Sequence, residues 1–400
     1  MIIKRDFFDT LKTSSQLEAV LLWGPRQVGK TTLLTQLSLA STRFLDDLAN
    51  RRKAQHDPAF FMDDLELPCL IDEVQYAPNL FPEIKLRIDL QRRERLKTDG
   101  PRSVLYYLTG SNRIILDNYV KESLAGRCHL YTLHGFSVRE ILANFPETSV
   151  KTLLWKGGFP ELHTHPNLSP ARYLNDYVLS FLEKDIASSA GIEKMGEFQT
   201  VLGLLAARTG QFLQVSEVAA AAGVDHKTVR SWIEILRRNH ILELVPPFHS
   251  NLSKRITKMH KLYFYDVGLC ARLQGHNDEN LLWNSPQSGA LFETLVFSEI
   301  VKTRDNFLKD WRIFTWRTKE QSEVDFVLQD PGKGLFHFLE AKLGIHGAQP
   351  FKLDAEARKV FSAPYRQTVV SAGGGQKSRL NHETMAVPIQ ELGNFLLDSI

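Results

Sequence analysis

Eight consecutive residues constrain this chain more than any other feature. Gly24-Pro25-Arg26-Gln27-Val28-Gly29-Lys30-Thr31 satisfies the pattern G-x-x-x-x-G-K-[ST] in full. The apolar run 19–23 before it reads as a buried strand, and a helix is predicted from Thr31 to about Leu39 after it. In that setting the glycines let the backbone curl so that its N–H groups point inward, and the helix N-terminus adds partial positive charge. The product is a cradle for phosphate. Gly24, Pro25, Arg26, Gln27, Val28, Gly29, Lys30, Thr31 and Thr32 are therefore the candidate nucleotide-binding residues, with Lys30 reaching the β- and γ-phosphates and Thr31 holding Mg²⁺. A chain of this length meets the fixed positions by accident roughly once in a hundred cases, and the strand–loop–helix setting lowers that further. ATP and Mg²⁺ are the expected cofactors.

Up to about residue 150, apolar runs at 19–23, 43–46, 67–71, 104–108 and 128–133 alternate with amphipathic segments. That is the pattern of an α/β domain with a parallel sheet. The third run passes into Asp72 and Glu73. At the end of a strand beside the phosphate loop, Asp72 would ligand Mg²⁺ through water, and Glu73 would polarise the attacking water as general base. The fourth run ends in Thr109-Gly110-Ser111-Asn112, where Asn112 or Ser111 would hydrogen-bond the γ-phosphate or the lytic water. Arg127 stands just before the fifth. It is either a cation for charge developing on the γ-phosphoryl group or a surface arginine paired with a local acid such as Glu122.

Residues 151–208 read as mostly helical, with a turn at Gly157-Gly158-Phe159-Pro160. A helix–turn–helix follows, with Ser216 and Asp225 as N-caps and Gly223 in the tight turn. Its second helix carries Lys227, Arg230, Arg237 and Arg238. Eight basic and three acidic residues lie between Asp225 and Lys261, whereas the whole chain has a formal charge of only +3. The positive charge is concentrated here. Such a stripe would neutralise DNA phosphates while the second helix enters a major groove; the alternative is a packing or oligomer contact. Beyond a polar linker at 275–287, strands are predicted at 324–328, 335–341 and 367–371. Glu340 and Lys342, two apart on a strand, share a face, and Asp325 lies on the preceding strand. Glu293 falls on a helix predicted over 290–302, on the face that carries Val296, Phe297 and Ile300. An unpaired carboxylate there is costly, so a metal ion or Lys342 is expected beside it.

Taken in order, GPRQVGKTT, LIDEVQ, LTGSN, ESLAGR and GGFPEL resemble bacterial and archaeal AAA+-like ATPases over nearly the whole chain. The resemblance implies an α/β protein in four parts: a P-loop AAA+-like parallel-sheet domain (1–150), a helical lid or linker (151–208), a winged-helix-like middle (209–274) and a C-terminal restriction-endonuclease-like α/β domain (280–400). It places Arg127 as a finger reaching a neighbouring subunit's site, hence a homo-oligomer. It also makes Glu293, Asp325, Glu340 and Lys342 similar to the catalytic set of PD-(D/E)XK nucleases, with Asp325 and Glu340 as ligands of Mg²⁺ or Mn²⁺. Two functions compete. One is an ATPase coupled to DNA binding or processing, its C-terminal domain cutting. The other is an ATP-driven switch or scaffold whose nuclease-dead C-terminal domain binds DNA or protein partners.

Other classes are disfavoured. The three cysteines are far apart with no CxxC pair, which argues against a zinc finger or a disulfide framework and suits a reducing cytoplasm. No stretch approaches the roughly 18 apolar residues of a membrane helix, and the first residues lack the apolar core of a signal peptide. A soluble cytoplasmic protein without a membrane partner is expected. His163 and His165 alternate without a metal-spaced cysteine or carboxylate, and read as a loop.

Overall fold

Ala19–Trp23 (β1) is apolar and buried at every position, as a strand covered on both faces must be. Val20 and Leu22 pack with Phe7, Leu11 and Leu33 on one side. Ala19, Leu21 and Trp23 pack with Ile71, Phe81 and Leu108 on the other. The computed structural model describes residues 2–14, 16–98, 103–111, 113–181, 191–248, 259–317, 323–344, 361, 365–373 and 376–399. They divide into two compact units, Met1–His134 and Gly135–Ile400.

In the first unit β1 is flanked within a five-stranded sheet by β2 (Ser41–Phe44), β3 (Cys69–Asp72), β4 (Tyr106–Gly110) and β5 (Cys128–Thr132), in the order β2-β3-β4-β1-β5. Every pairing is parallel. β4 therefore lies between β1 and β3, and its end falls between the phosphate loop and Asp72. The third and fourth strands run about two residues later than the apolar runs suggested. The helix after the loop is shorter than expected, Lys30–Leu34.

The second unit begins with the helices Val138–Asn144, Val150–Lys156, Pro160–Thr164, Pro170–Tyr177 and Met195–Ala206. Gly157 and Gly158 tie them to a later part of the chain. Gly157 has φ 63°, and a Cβ there would lie 2.2 Å from the Asp266 carboxylate. That carboxylate accepts the Gly158 N–H at 2.8 Å, and His163 bonds the Gly157 carbonyl at 2.9 Å. The Gly-Gly-Phe-Pro turn is thus a packing knot, and His163 sits on a helix rather than in a loop.

Next come β6 (Gln211–Phe212), the helices Val215–Ala222 and His226–Arg238, β7 (Leu242–Val245) and β8 (Lys261–Phe264). β8 is central and antiparallel to both neighbours. Asp225 caps the second helix through the N–H groups of Lys227 and Thr228. Gly223 ends the first helix with φ 65°, as the turn requires. Gln214 precedes the first helix and Ser216 lies within it, so Ser216 is not the cap. The helix Ser288–Asn306 leads into a six-stranded sheet of β9 (Arg312–Arg317), β10 (Glu323–Asp330), β11 (Leu335–Lys342), β12 (Tyr365–Ser371), β13 (Ser378–Arg379) and β14 (Thr384–Pro388). Its order is β13-β14-β12-β11-β10-β9, with β11, β12 and β14 mutually parallel and the other pairings antiparallel.

Candidate functional site

The loop between β1 and the helix Lys30–Leu34 is shaped by backbone that ordinary residues avoid. A Cβ on Gly24 would lie 2.1 Å from the Leu133 carbonyl oxygen, so that position takes only glycine. Gln27 is left-handed at φ 63°, strain of the kind that ligand loops store. Arg5 braces the loop from outside, its guanidinium donating to the Val28 and His134 carbonyls at 2.9 and 2.7 Å. Lys30 is buried and folds back on the loop, donating to the Gly24 and Pro25 carbonyls, each at 2.9 Å. Burial lowers its pKa, while Glu73 and then Asp72 oppose the shift. Arg26 reaches the Tyr76 hydroxyl at 3.1 Å, and Thr32 is exposed.

Parallel pairing brings three strand ends beside this loop. Asp72 Oδ1 accepts from Thr31 Oγ1 and from Thr109 Oγ1, both at 2.7 Å. Burial raises its pKa against those two hydrogen bonds. Thr109 Oγ1 also accepts the Glu73 N–H at 2.8 Å, fixing Glu73 in its left-handed conformation at φ 55°. The Glu73 carboxylate accepts from Ser111 Oγ at 2.8 Å and from Gln75 Nε2. The donor set suits a magnesium nucleotide: a hydroxyl and a carboxylate already in contact are hard oxygen ligands, and Lys30 lies against the loop that would take phosphate.

Residues 16–142 match the model of an AAA domain. They are an AAA-type P-loop ATPase domain. Residues 147–280 match a domain of unknown function (DUF8612), and residues 288–392 match another (DUF4143). Uncharacterized proteins of Mycobacterium tuberculosis and Mycobacterium bovis are each 29% identical to the chain over 341 residues, covering 83% of it and 73% of their own length. Among solved structures, a Walker-type ATPase of Pyrococcus abyssi overlaps 68% of this chain and 96% of its own, at 14% identity and a TM-score of 0.42. A DNA replication initiation factor overlaps 75% and 91%, at 13% identity and a TM-score of 0.26. Similarity this low carries no argument about fold or activity.

Within the AAA domain, Ser111 is bonded to the Glu73 carboxylate, and Asn112 lies outside the described residues. Thr109 and Gln75 were not singled out in the sequence, because a threonine ending a buried strand and a glutamine after two acids look ordinary until the strand order is known. Arg127 is engaged within its own chain. Its Nε and Nη2 donate to the two Asp89 carboxylate oxygens at 2.7 and 3.0 Å. The local acid is thus Asp89 on the helix Leu80–Thr98 rather than Glu122.

The second unit gathers three carboxylates around one buried lysine. Lys261, at the start of β8, is buried, and its Nζ lies 2.7 Å from Glu293 Oε1, 2.5 Å from Glu323 Oε1 and 3.3 Å from Asp325 Oδ1. The partner expected for Glu293 is therefore Lys261, not a metal ion or Lys342. Tyr263, two residues along β8, donates its hydroxyl to Glu293. The other Asp325 oxygen accepts the Ala341 N–H at 2.9 Å. Lys342 contacts Glu340 at 2.5 Å. Burial, and then the Asp325 charge, push the Glu293 carboxyl upward; burial would lower Lys261, but the surrounding carboxylates outweigh it and raise its pKa. Among the described residues no group of three or more His, Cys, Asp or Glu side chains is placed to hold a metal ion. These residues do not fit the Mg²⁺ or Mn²⁺ expected at Asp325 and Glu340. One signal was available: Lys261 opens an otherwise apolar strand, Lys-Leu-Tyr-Phe, buried throughout, and a charge there needs partners.

The same strand start changes the basic stripe. Lys261 is taken up by carboxylates, and Arg237 is paired with Glu234 and Glu243, each at 2.8 Å. Lys227, Arg230 and Arg238 are the exposed cations of the helix His226–Arg238. Lys254, Arg255 and Lys258 lie outside the described residues.

Proposed function

We propose that the protein is a Mg²⁺-dependent ATPase whose turnover is coupled to DNA bound by its second unit. The observation that carries the catalytic half is the Thr31–Asp72–Thr109–Glu73 chain of hydrogen bonds at the ends of β1, β3 and β4. Thr31 and Asp72 would hold the ion, which offsets phosphate charge when bound. Lys30 would exchange its loop carbonyls for the β- and γ-phosphates. Glu73 would take the proton of the attacking water, oriented by its contacts to Ser111 and Gln75.

The DNA half rests on the order of elements from 195 to 264. Among the described residues a helix, a short strand, two helices and two more strands, the last of them central, follow in the order of a winged helix, which supports that reading. Its second helix presents Lys227 and Arg230 outward in its first turns and would enter the major groove. Glu293 and Asp325 are engaged with Lys261, Asp325 also with the Ala341 N–H, and Glu340 with Lys342, which speaks against cleavage by this set. Arg127 holds Asp89 of its own chain, which speaks against a site shared between subunits.

The test is the ATPase rate with and without added single- and double-stranded DNA. Duplex DNA is expected to raise the rate several-fold, Lys30→Ala to abolish nucleotide binding, and Glu73→Gln to bind ATP with turnover lowered on the order of a hundredfold. A rate indifferent to both DNA forms would remove the coupling and leave the ATPase.

A further inference from the structure

Most proteins keep a lysine out of a buried strand, because its ammonium loses its water there. Lys261 is only 3% exposed, and three carboxylates from two other elements close on it: Glu293 from the helix Ser288–Asn306, and Glu323 and Asp325 from β10. Each is placed by a local feature. Glu293 projects from a helix whose neighbouring positions Phe292, Val296 and Phe297 are core. β10 shifts register against β9 between Val324 and Val327. As a result these two valines, three residues apart, both pack in the aromatic cluster of Phe248, Phe314 and Phe338. Such a bulge frees a residue from regular alternation. Regular pairing of β10 with β11 begins only at Phe326, and the Asp325 side chain takes the Ala341 N–H instead.

A divalent cation bound by carboxylates needs several oxygens at roughly 2.0–2.6 Å from one point, and that point must be vacant. Here the point on which the carboxylates converge is the nitrogen of Lys261 itself. A metal ion entering beside it would meet a buried positive charge in contact with the same oxygens. With all three carboxylates ionised, two negative charges remain in excess over the ammonium, so the cluster would attract a cation if the lysine were absent.

We infer that Lys261 is the resident cation of this acidic cluster: a side chain of the three-stranded sheet occupies the place of a divalent metal ion, excludes it, and fastens β8 to the helix Ser288–Asn306 and to β10. The C-terminal sheet then takes no divalent metal at these carboxylates and cuts no phosphodiester through one. Their role is to clamp the three-stranded sheet to the C-terminal sheet and its helix.

Mn²⁺ uptake by the nucleotide-free full-length chain, followed by electron paramagnetic resonance, tests this. Four proteins are compared: wild type, Asp325→Asn, Lys261→Met and Lys261→Met with Asp325→Asn. Any ion held at Thr31 and Asp72 is common to all four. Wild type and Asp325→Asn are expected to bind the same amount of Mn²⁺, because no ion uses Asp325 while Lys261 is present. Lys261→Met is expected to bind one ion more, to melt at a higher temperature when Mn²⁺ is added, and to lose both gains when Asp325→Asn is added. Less Mn²⁺ bound by Asp325→Asn than by wild type would show an open metal site and overturn the inference. So would a folded Lys261→Met protein with no additional ion. Should Lys261→Met fail to fold, wild type against Asp325→Asn decides alone: equal uptake upholds the exclusion, and unequal uptake ends it.

Discussion

Thr109 is the residue on which the ATPase site turns. Its hydroxyl donates to Asp72 and accepts from the Glu73 backbone, so one side chain sets both the proposed metal carboxylate and the proposed general base. Thr109→Val keeps the shape and removes both bonds. It leaves a buried N–H and a carboxylate lone pair unsatisfied, at a cost of about 1–3 kcal/mol. ATP turnover should fall at least tenfold while ATP affinity changes by less than threefold; calorimetric binding and steady-state hydrolysis measure the two. Arg127 is a contrasting case. A partly exposed ion pair contributes at most about 1 kcal/mol, so Arg127→Ala should keep turnover within twofold and lower stability slightly, as Asp89→Ala should. A hundredfold loss that is partly restored by mixing with Glu73→Gln protein would instead establish active sites shared between subunits.

The helix His226–Arg238 shows how packing redistributes charge that looks uniform along the chain. Arg237 binds Glu234 and Glu243, whereas Lys227 and Arg230 face outward in the first half of the helix. Each phosphate contact removed lowers the slope of log K against log salt by about 0.9. Lys227→Ala combined with Arg230→Ala should therefore flatten that slope by about 2 and weaken duplex binding. Arg237→Ala should leave the slope alone and destabilise the helix–β7 contact. Fluorescence anisotropy at several salt concentrations separates them, and an unchanged slope in the double variant would assign this element to packing. β10 makes the same point for a strand. A strand is expected at 324–328, and the register shift that frees Asp325 is visible only with β9 and β11 in place.

At the scale of the whole molecule, the end of the segment that matches the AAA domain belongs to the second unit. Phe136, Val138 and Arg139 belong to the stretch that matches the AAA domain, yet their backbones bond side chains from the last segment. Val138 and Arg139 donate N–H groups to Glu299 at 2.7 and 3.4 Å, and Lys302 donates to the Phe136 carbonyl at 2.9 Å. Glu299 is 1% exposed, and burial pushes its carboxyl up to about 7, against the hydrogen bond from Val138 and the charge of Lys302. The folded chain thus holds a proton that the unfolded chain releases near its ordinary 4.5. This contribution to stability is complete below that value and is lost as pH rises through about 7. Between pH 5 and 8, wild type should lose on the order of 2–3 kcal/mol more stability than Glu299→Gln. Denaturant titrations at the two pH values check this, and parallel losses would rule out Glu299 as the cause.

Local constraints were legible in the amino-acid order. A phosphate loop is contiguous and needs glycine at fixed positions, so Gly24 to Thr31, the strand before them and the pair Asp72-Glu73 could be read directly. Apolar runs marked the five strands of the first sheet and β10, β11 and β12 of the C-terminal sheet to within about two residues, whereas β9, β13 and β14 went unmarked. The helix–turn–helix followed from Asp225 and Gly223, whose capping and left-handed turn are local chemistry. Strand order, register and side-chain partners were decided by the tertiary structure. Placing β4 between β1 and β3 gave Thr109 its two bonds, and the register shift in β10 freed Asp325. Packing β8 against the helix Ser288–Asn306 put Lys261, 32 residues before Glu293 in the chain, where a metal ion was expected. Charges far apart in sequence interact through space, and only folding fixes which of them meet.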